Sequence, residues 1–193
     1  MGAGQPHDSE VTSWALAAGN GDPIARERFV RATQRDVWRF VAYLAGAQAA
    51  DDLTQETYLR ALRSLPRFSG RSSARTWLLS IARRVAVDDY RAMRVRPRRA
   101  DTEDWQGAVE RAQACGVPGF DDGVALADLL DALAAERRSA FVLTQLLALS
   151  YQEAAEVCRC PVGTIRSRVA RAREDLVAML RDAEGTRRDR PTG

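Results

Sequence analysis

The sequence predicts an all-α protein built as two small helical domains joined by a flexible acidic linker, the C-terminal domain containing a helix-turn-helix. Three observations predict it. Apolar residues recur at helical spacing through most of the chain, and no stretch alternates strongly enough to be a strand. Charge reverses in mid-chain: residues 71–99 hold nine arginines against Asp88 and Asp89, a surplus of seven, whereas residues 100–136 hold nine acids against Arg111. Near the C-terminus, SYQEAAEVCRCPVGTIRSRVARAR reads as a short helix, a tight turn and a longer arginine-bearing helix.

Each element has a local reason. Residues 1 to about 10 carry no helical repeat and read as a loose tail. Helical signals begin near Val11 and run, past a break at residues 19–23, to Gly46. Val37, Phe40, Val41 and Leu44 mark the buried stripe, with Trp38 and Tyr43 alongside. A GAQAA turn leads to a helix over residues 51–65, in which Asp52 and Gln55 have capping-box spacing. Asp51, Asp52 and Glu56 suit the positive start of that helix, and Pro66 ends it. A polar loop, residues 67–73, precedes a long helix over residues 74–93 whose Trp77, Leu78, Ile81 and Val85 face a core. These elements form a first domain, residues 11–98. Residues 99–123, rich in Gly and Asp, form the acidic linker, with at most a frail helix over residues 105–114. Leu126, Leu129, Leu130 and Leu133 open a second domain, residues 124–183, which Phe141, Val142 and Leu146 carry into the helix-turn-helix.

Within that motif Ser150 and Glu153 are spaced as a capping box. Ala154, Ala155 and Val157 make a helix small enough to pack closely, and Cys158, Arg159 and Cys160 turn the chain. Pro161 suits the first turn of the next helix, where its missing N–H costs nothing. Ile165, Val169, Ala172, Leu176 and Leu180 form one apolar stripe, and Arg166, Arg168, Arg171 and Arg173 lie off it. A helix buried on one side and cationic on the other, braced by a shorter one, has the geometry that enters a DNA major groove. Val162, Gly163, Thr164, Arg166, Ser167, Arg168 and Arg171 are then the candidates to meet base edges. An arginine paired bidentately with guanine supplies ~1–3 kcal/mol of discrimination. The alternative is a solvated basic face on an ordinary bundle; the coincidence of cap, turn, proline and arginine row favours DNA.

Composition excludes several classes. The hydrophobic fraction, 46%, is enough for packed cores, but no apolar run approaches the ~20 residues of a membrane helix. The opening MGAGQPHDSE lacks the basic start and apolar core of a signal peptide, so the expected location is the cytoplasm, with the nucleoid, and no membrane partner is expected. The basic residues are all arginine; codon usage explains this as readily as phosphate recognition does. Cys115, Cys158, Cys160 and the sole histidine, His7, do not make a well-spaced ligand set, so no metal is expected. An odd cysteine count points to reduced thiols. With no glycine-rich phosphate loop and no nucleophile beside a base, neither an enzyme nor a cofactor is predicted.

Two further surfaces stand out. In residues 68–99 the aromatics Phe68, Trp77 and Tyr90 interleave with Arg71, Ser72, Ser73, Arg75, Arg83 and Arg84, a mixture suited to single-stranded DNA, whose bases stack on rings while a cationic groove tracks the backbone. Trp77 reads mainly as core. The second surface is the acidic start of the helix over residues 51–65, beside Tyr58 and Leu59; on spacing alone, plain helix capping accounts for it.

Three stretches, in order, resemble the extracytoplasmic-function (ECF) group of bacterial sigma-70 sigma factors. DDLTQETYLRAL resembles the family's core-polymerase-binding helix, ARTWLLSIARRVAVDDYR the helix that handles the promoter −10 element, and LSYQEAAEVCRCPVGTIRSRVARAR the helix-turn-helix that reads the −35 element. The resemblance covers roughly residues 11–180 and implies core RNA polymerase and promoter DNA as partners, with an anti-sigma factor as a candidate third. It implies that Asp51, Asp52, Leu53, Gln55, Glu56 and Thr57 dock on the clamp helices of the β′ subunit, β being a secondary contact. It implies −10 contacts from Phe68, Ser69, Arg71, Ser72, Ser73, Arg75, Trp77, Arg83, Arg84 and Arg91, with the loop capturing a flipped-out base. Tyr151 joins the helix-turn-helix residues in the −35 set. Where many members have Ile-Ala-Arg-Asn, this chain has Ile81-Ala82-Arg83-Arg84, so its −10 preference is not transferable. Two other readings remain open from the residues alone: a stand-alone dimeric helix-turn-helix regulator, and an adaptor whose basic faces bind acidic proteins.

Overall fold

The computed structural model describes residues 8–95 and 120–188. The chain divides into two compact units, within residues 1–118 and 119–193. Among the described residues every regular element is helical.

The first unit contains α1 (Asp8–Gly19), α2 (Pro23–Ala45), α3 (Ala47–Ser64), a 3-10 turn (Leu65–Arg67) and α4 (Ala74–Val95). Asp22 caps α2, its Oδ1 accepting the N–H groups of Ile24 at 2.8 Å and Ala25 at 3.1 Å, and Pro23 occupies the first turn where no N–H is needed. α2 packs against α1, α3 and α4 and supplies the centre of the core: Phe29, Val37, Phe40 and Val41 are wholly buried. Ala50, Leu53 and Ala61 of α3 close on it from one side, and Leu78, Leu79, Ala82 and Val85 of α4 from another. Trp77 and Ile81, expected in the core, are only half-buried, the buried face of α4 being rotated toward Leu79 and Ala82.

The expected GAQAA turn contracts to one residue. Gly46 takes φ 89°, ψ 156°, a conformation essentially confined to glycine, so α2 and α3 meet head to tail around it. α3 therefore begins four residues before Asp51, and the expected capping box at Asp52 and Gln55 is absent. Asp51 and Asp52 lie in the second turn of the helix instead.

The second unit contains α5 (Phe120–Asp131), α6 (Ala135–Phe141), a π-helical turn (Val142–Leu146), α7 (Tyr151–Cys158) and α8 (Val162–Arg188). Its core gathers Leu130, Leu133, Ala140, Val142, Leu143, Leu147, Leu149, Val157, Ile165 and Val169. Helix α5 starts inside the segment expected to be linker. The rest of that segment, with the expected helix at residues 105–114 and Cys115, lies outside the described residues, as do His7 and the last five residues. Leu180, expected on the buried stripe of α8, is 48% exposed.

The passage from the π-helical turn to α7 forces Ala148 to φ 55°. A left-handed conformation costs a non-glycine residue about 1–2 kcal/mol, whereas glycine's greater unfolded-state freedom costs about 0.4–1 kcal/mol. The first term is larger, and Ala148 is exposed, so no packing is at stake. Ala148→Gly is therefore expected to stabilise the second unit by about 0.5–1 kcal/mol, read as a higher thermal midpoint of the full chain.

Candidate functional site

The helix-turn-helix forms as its residues dictate. Ser150 Oγ accepts the N–H of Glu153 at 3.2 Å, and Glu153 Oε2 accepts the N–H of Ser150 at 2.9 Å, a reciprocal box that fixes the start of α7. Arg159 ends α7 in the left-handed region, φ 53° and ψ 50°, and the Cys160 N–H returns to the carbonyl of Ala155 at 3.1 Å. Pro161 stands one place before α8, its carbonyl accepting the N–H of Thr164 at 2.9 Å. Cys158 is buried and Cys160 half-buried, and neither is in a disulfide. Ile165, Val169, Ala172 and Leu176 then seat α8 on the core.

That seating exposes Gly163, Arg166, Ser167, Arg171 and Arg173, leaves Val162, Thr164 and Tyr151 half-buried, and creates a cationic face along the first three turns of α8. Arg168 differs from its neighbours. Its Nη2 lies 3.1 Å from Glu136 Oε2 of α6, and its Nη1 donates to Cys160 Sγ at 3.5 Å. It is folded back as a brace between α8, α6 and the turn, and does not extend with Arg166 and Arg171. A second tie, Arg137 Nη1 to Asp175 Oδ2 at 2.6 Å, holds α6 to α8 further along.

In the first unit the loop 68–73 and α4 make a separate surface. The rings of Phe68 and Trp77 meet at 4.8 Å between centroids, tilted by 39°, and both are half-buried, so a partly open aromatic pair lies at the loop's base. Ser69 and Arg71 are exposed and Ser72 half-buried; along α4, Arg84, Tyr90 and Arg91 are exposed and Arg83 half-buried. Two expected DNA contacts are engaged inside the unit. Ser73 Oγ accepts the N–H of Thr76 at 3.1 Å and thereby caps α4. Arg75 Nε donates to Asp36 Oδ2 at 2.6 Å, and with these side chains only 20% and 11% exposed the pair ties α4 to α2.

The third surface is the outer face of α3. Trp38 Nε1 donates to Asp51 Oδ1 at 2.8 Å, orienting that carboxylate. Asp52 and Gln55 are exposed, and half-buried Glu56 accepts from Arg60 Nε at 2.7 Å while Arg60 Nη1 reaches Asp88 Oδ2 at 2.9 Å. Two expected members of this surface face inward: Leu53 is 7% exposed, and Thr57 is wholly buried with its hydroxyl donating to the Leu53 carbonyl. Of the residues expected to dock, Asp51, Asp52, Gln55 and Glu56 are the accessible ones. Tyr58 is also drawn in. Its hydroxyl lies 2.7 Å from Thr33 Oγ1, and burial pushes its ionisation far above the ordinary range, Thr33 opposing only in part. Leu59 alone remains of the expected apolar patch beside the acids. Trp38 is the residue that sequence reasoning missed; a buried indole N–H needs an acceptor, but no local pattern indicates which.

Comparison with known proteins follows the same division. Residues 29–104 match the family described as Sigma-70 region 2, and residues 123–176 match Sigma-70, region 4. The ECF RNA polymerase sigma factor SigC of Mycobacterium tuberculosis is 52% identical over 184 residues, spanning 95% of this chain and 97% of that protein. The ECF RNA polymerase sigma-E factor of Escherichia coli is 31% identical, over 81% of this chain and 86% of its own length. Among solved structures, CnrH in complex with the cytosolic domain of CnrY superposes with a TM-score of 0.68 at 25% identity, covering 90% of this chain and 98% of that one. The sigma factor RpoE in complex with the anti-sigma factor NepR from Bartonella quintana gives 0.63 at 27% identity, over 80% and 96%.

Proposed function

The chain belongs to the ECF group of the sigma-70 family of RNA polymerase sigma factors, and we propose from that membership how its surfaces share the work of promoter recognition. The protein directs core RNA polymerase to promoters and supports initiation through the −10 and −35 elements. The observation that carries the division of labour is the pair of cationic surfaces, one on each unit, each coinciding with a matched family region. In this reading α8 enters the major groove of the −35 duplex, Arg166 meeting a base edge and Arg171 the phosphates, with Gly163, Thr164 and Ser167 close to the groove floor.

The loop 68–73 and α4 take the −10 element as single strand. Extruding a base costs a few kcal/mol of lost stacking. Stacking against the Phe68 and Trp77 pair and phosphate contacts from Arg71, Arg84 and Arg91 offset that cost. Melting then proceeds by capture of the open non-template strand, and no nucleotide hydrolysis is required. The acidic face of α3, presented by Asp51, Asp52, Gln55 and Glu56, docks on core polymerase. An acidic segment such as residues 101–122 suits a cationic channel of the polymerase. The relatives act as polymerase subunits and not as enzymes in their own right, and we read this chain likewise. Its place of work is the cytoplasm, with the nucleoid; among the described residues no helix is long and apolar enough to cross a membrane. CnrH and RpoE were solved with protein partners, NepR being named an anti-sigma factor, and an anti-sigma factor is a fitting partner class here too.

The test is transcription of a promoter library by core polymerase with and without the protein. The expected result is a set of start sites that depends on the protein and shares one −35 and one −10 sequence. Sequence-specific binding of naked duplex by a dimer, with no dependent start sites, would establish a stand-alone regulator instead.

A further inference from the structure

Helix α1 precedes the region matched to the family, which begins at residue 29, and none of the three surfaces above includes it. Its contacts nevertheless converge on one place. Thr12 Oγ1 accepts the N–H of Ala74, the first residue of α4, at 3.0 Å, while donating to its own helix at the Asp8 carbonyl, 2.7 Å away. One turn on, the two methyl carbons of Leu16 lie 3.5 and 3.7 Å from where a Cβ of Gly70 would stand. A further turn on, Gly19 lies against the 3-10 turn so closely that a Cβ there would come within 2.7 Å of the Leu65 carbonyl oxygen. Residues 12, 16 and 19 share one face of a helix. They touch the chain just after, within and just before the loop 68–73.

We propose that α1 is a positioning element for −10 strand capture, Thr12 and Leu16 holding the loop in the shape that receives the single strand. The inference rests on the reading of the loop as the −10 capture site. Physically the case is one of preorganisation. Gly70 adopts φ 70°, a conformation that turns the loop tip sharply, and Leu16 is the side chain beneath it. Ser73 caps the third N–H of α4 and Thr12 caps the first, so the helix start that anchors the loop is held from two directions. Leu65, on the other side, is pinned by backbone contact with Gly19. A loop already held at both ends and under its tip loses little freedom when it closes on a base, and that saving appears directly as affinity. Thr12 and Leu16 act through Ala74 and Gly70; neither is assigned a contact with DNA.

The experiment uses the full chain assembled with core polymerase. The probe is a single-stranded DNA oligonucleotide carrying the non-template −10 segment of a promoter that this holoenzyme initiates. Thr12→Ala and Leu16→Ala are each expected to weaken oligonucleotide binding by about five- to tenfold, with core affinity unchanged and Thr12→Ser restored to near the parent value. Phe68→Ala, in the loop itself, reports on the loop reading. If Phe68→Ala weakens binding while Thr12→Ala leaves it unchanged, the positioning role is wrong and the capture loop stands. If Phe68→Ala has no effect, the loop reading falls and the positioning role with it. Loss of core affinity in parallel with oligonucleotide affinity would show a general structural role and also overturn the proposal. Should Thr12→Ala fail to fold, Leu16→Ala decides by the same criteria, since Leu16 is 39% exposed and its truncation leaves the core intact.

Discussion

Replacing Asp52 and Glu56 together by arginine is expected to lower affinity for core RNA polymerase by about 1,000-fold, because charge reversal at two central contacts removes about 2 kcal/mol at each. The unit should stay folded. Asp52 is exposed, and the pair that Glu56 makes with Arg60 leaves both side chains more than 40% exposed; ion pairs of that kind contribute at most about 1 kcal/mol. Arg60 also keeps its contact with Asp88 after the change, so the tie between α3 and α4 survives. Leu53 and Thr57 would be poor choices for the same purpose. Truncating a buried leucine costs about 2–5 kcal/mol of stability, and any loss of binding would then report unfolding. The measurement is equilibrium binding of labelled protein to core, with helix content followed by circular dichroism. Unchanged core affinity in the double variant would place the docking surface away from α3.

What could be read from the sequence, and what could not, divides by distance along the chain. The start of α7 was legible because all its causes lie within four residues: Ser150 and Glu153 satisfy one another. The buried stripe of α2 was legible because helical periodicity is itself local. Less legible were the tertiary contacts that engage a side chain its neighbourhood leaves exposed. Arg75 looks like one more cation in a basic segment, but Asp36, thirty-nine residues earlier, holds it. Arg168 belongs by spacing with Arg166 and Arg171, but Glu136 and Cys160 draw it inward. The boundary of α3 moved for a different reason. Gly46 can reverse the chain alone, so the four residues after it, expected in a turn, were free to be helical. The family resemblance implied two DNA surfaces and a docking helix, yet it could not distinguish Leu53 and Thr57, which build the helix into the core, from Asp52 and Gln55, which face outward.

That same distinction generates the second large effect, a contrast between two arginines two residues apart. Arg166→Ala is expected to lower use of the −35 element about 10- to 100-fold, the loss of one bidentate base contact being worth ~1–3 kcal/mol. It should relax preference at a single base pair and leave stability unchanged, because Arg166 is exposed. Arg168→Ala should do the reverse. It removes two contacts that join α8 to α6 and to the turn, so the second unit should lose about 1–2 kcal/mol of stability, while base preference changes little. Arg171→Ala supplies the third signature: a contact to phosphate weakens all promoters alike and lowers the salt slope of binding by about one. Holoenzyme binding to a promoter and its single-base −35 variants, at several salt concentrations, separates the three. Thermal melting of each full-length variant completes the comparison. If Arg168→Ala changed base preference and left the melting midpoint alone, its guanidinium would have to leave Glu136 and Cys160 when DNA binds, and the brace seen in the free protein would be one state of a residue that switches roles.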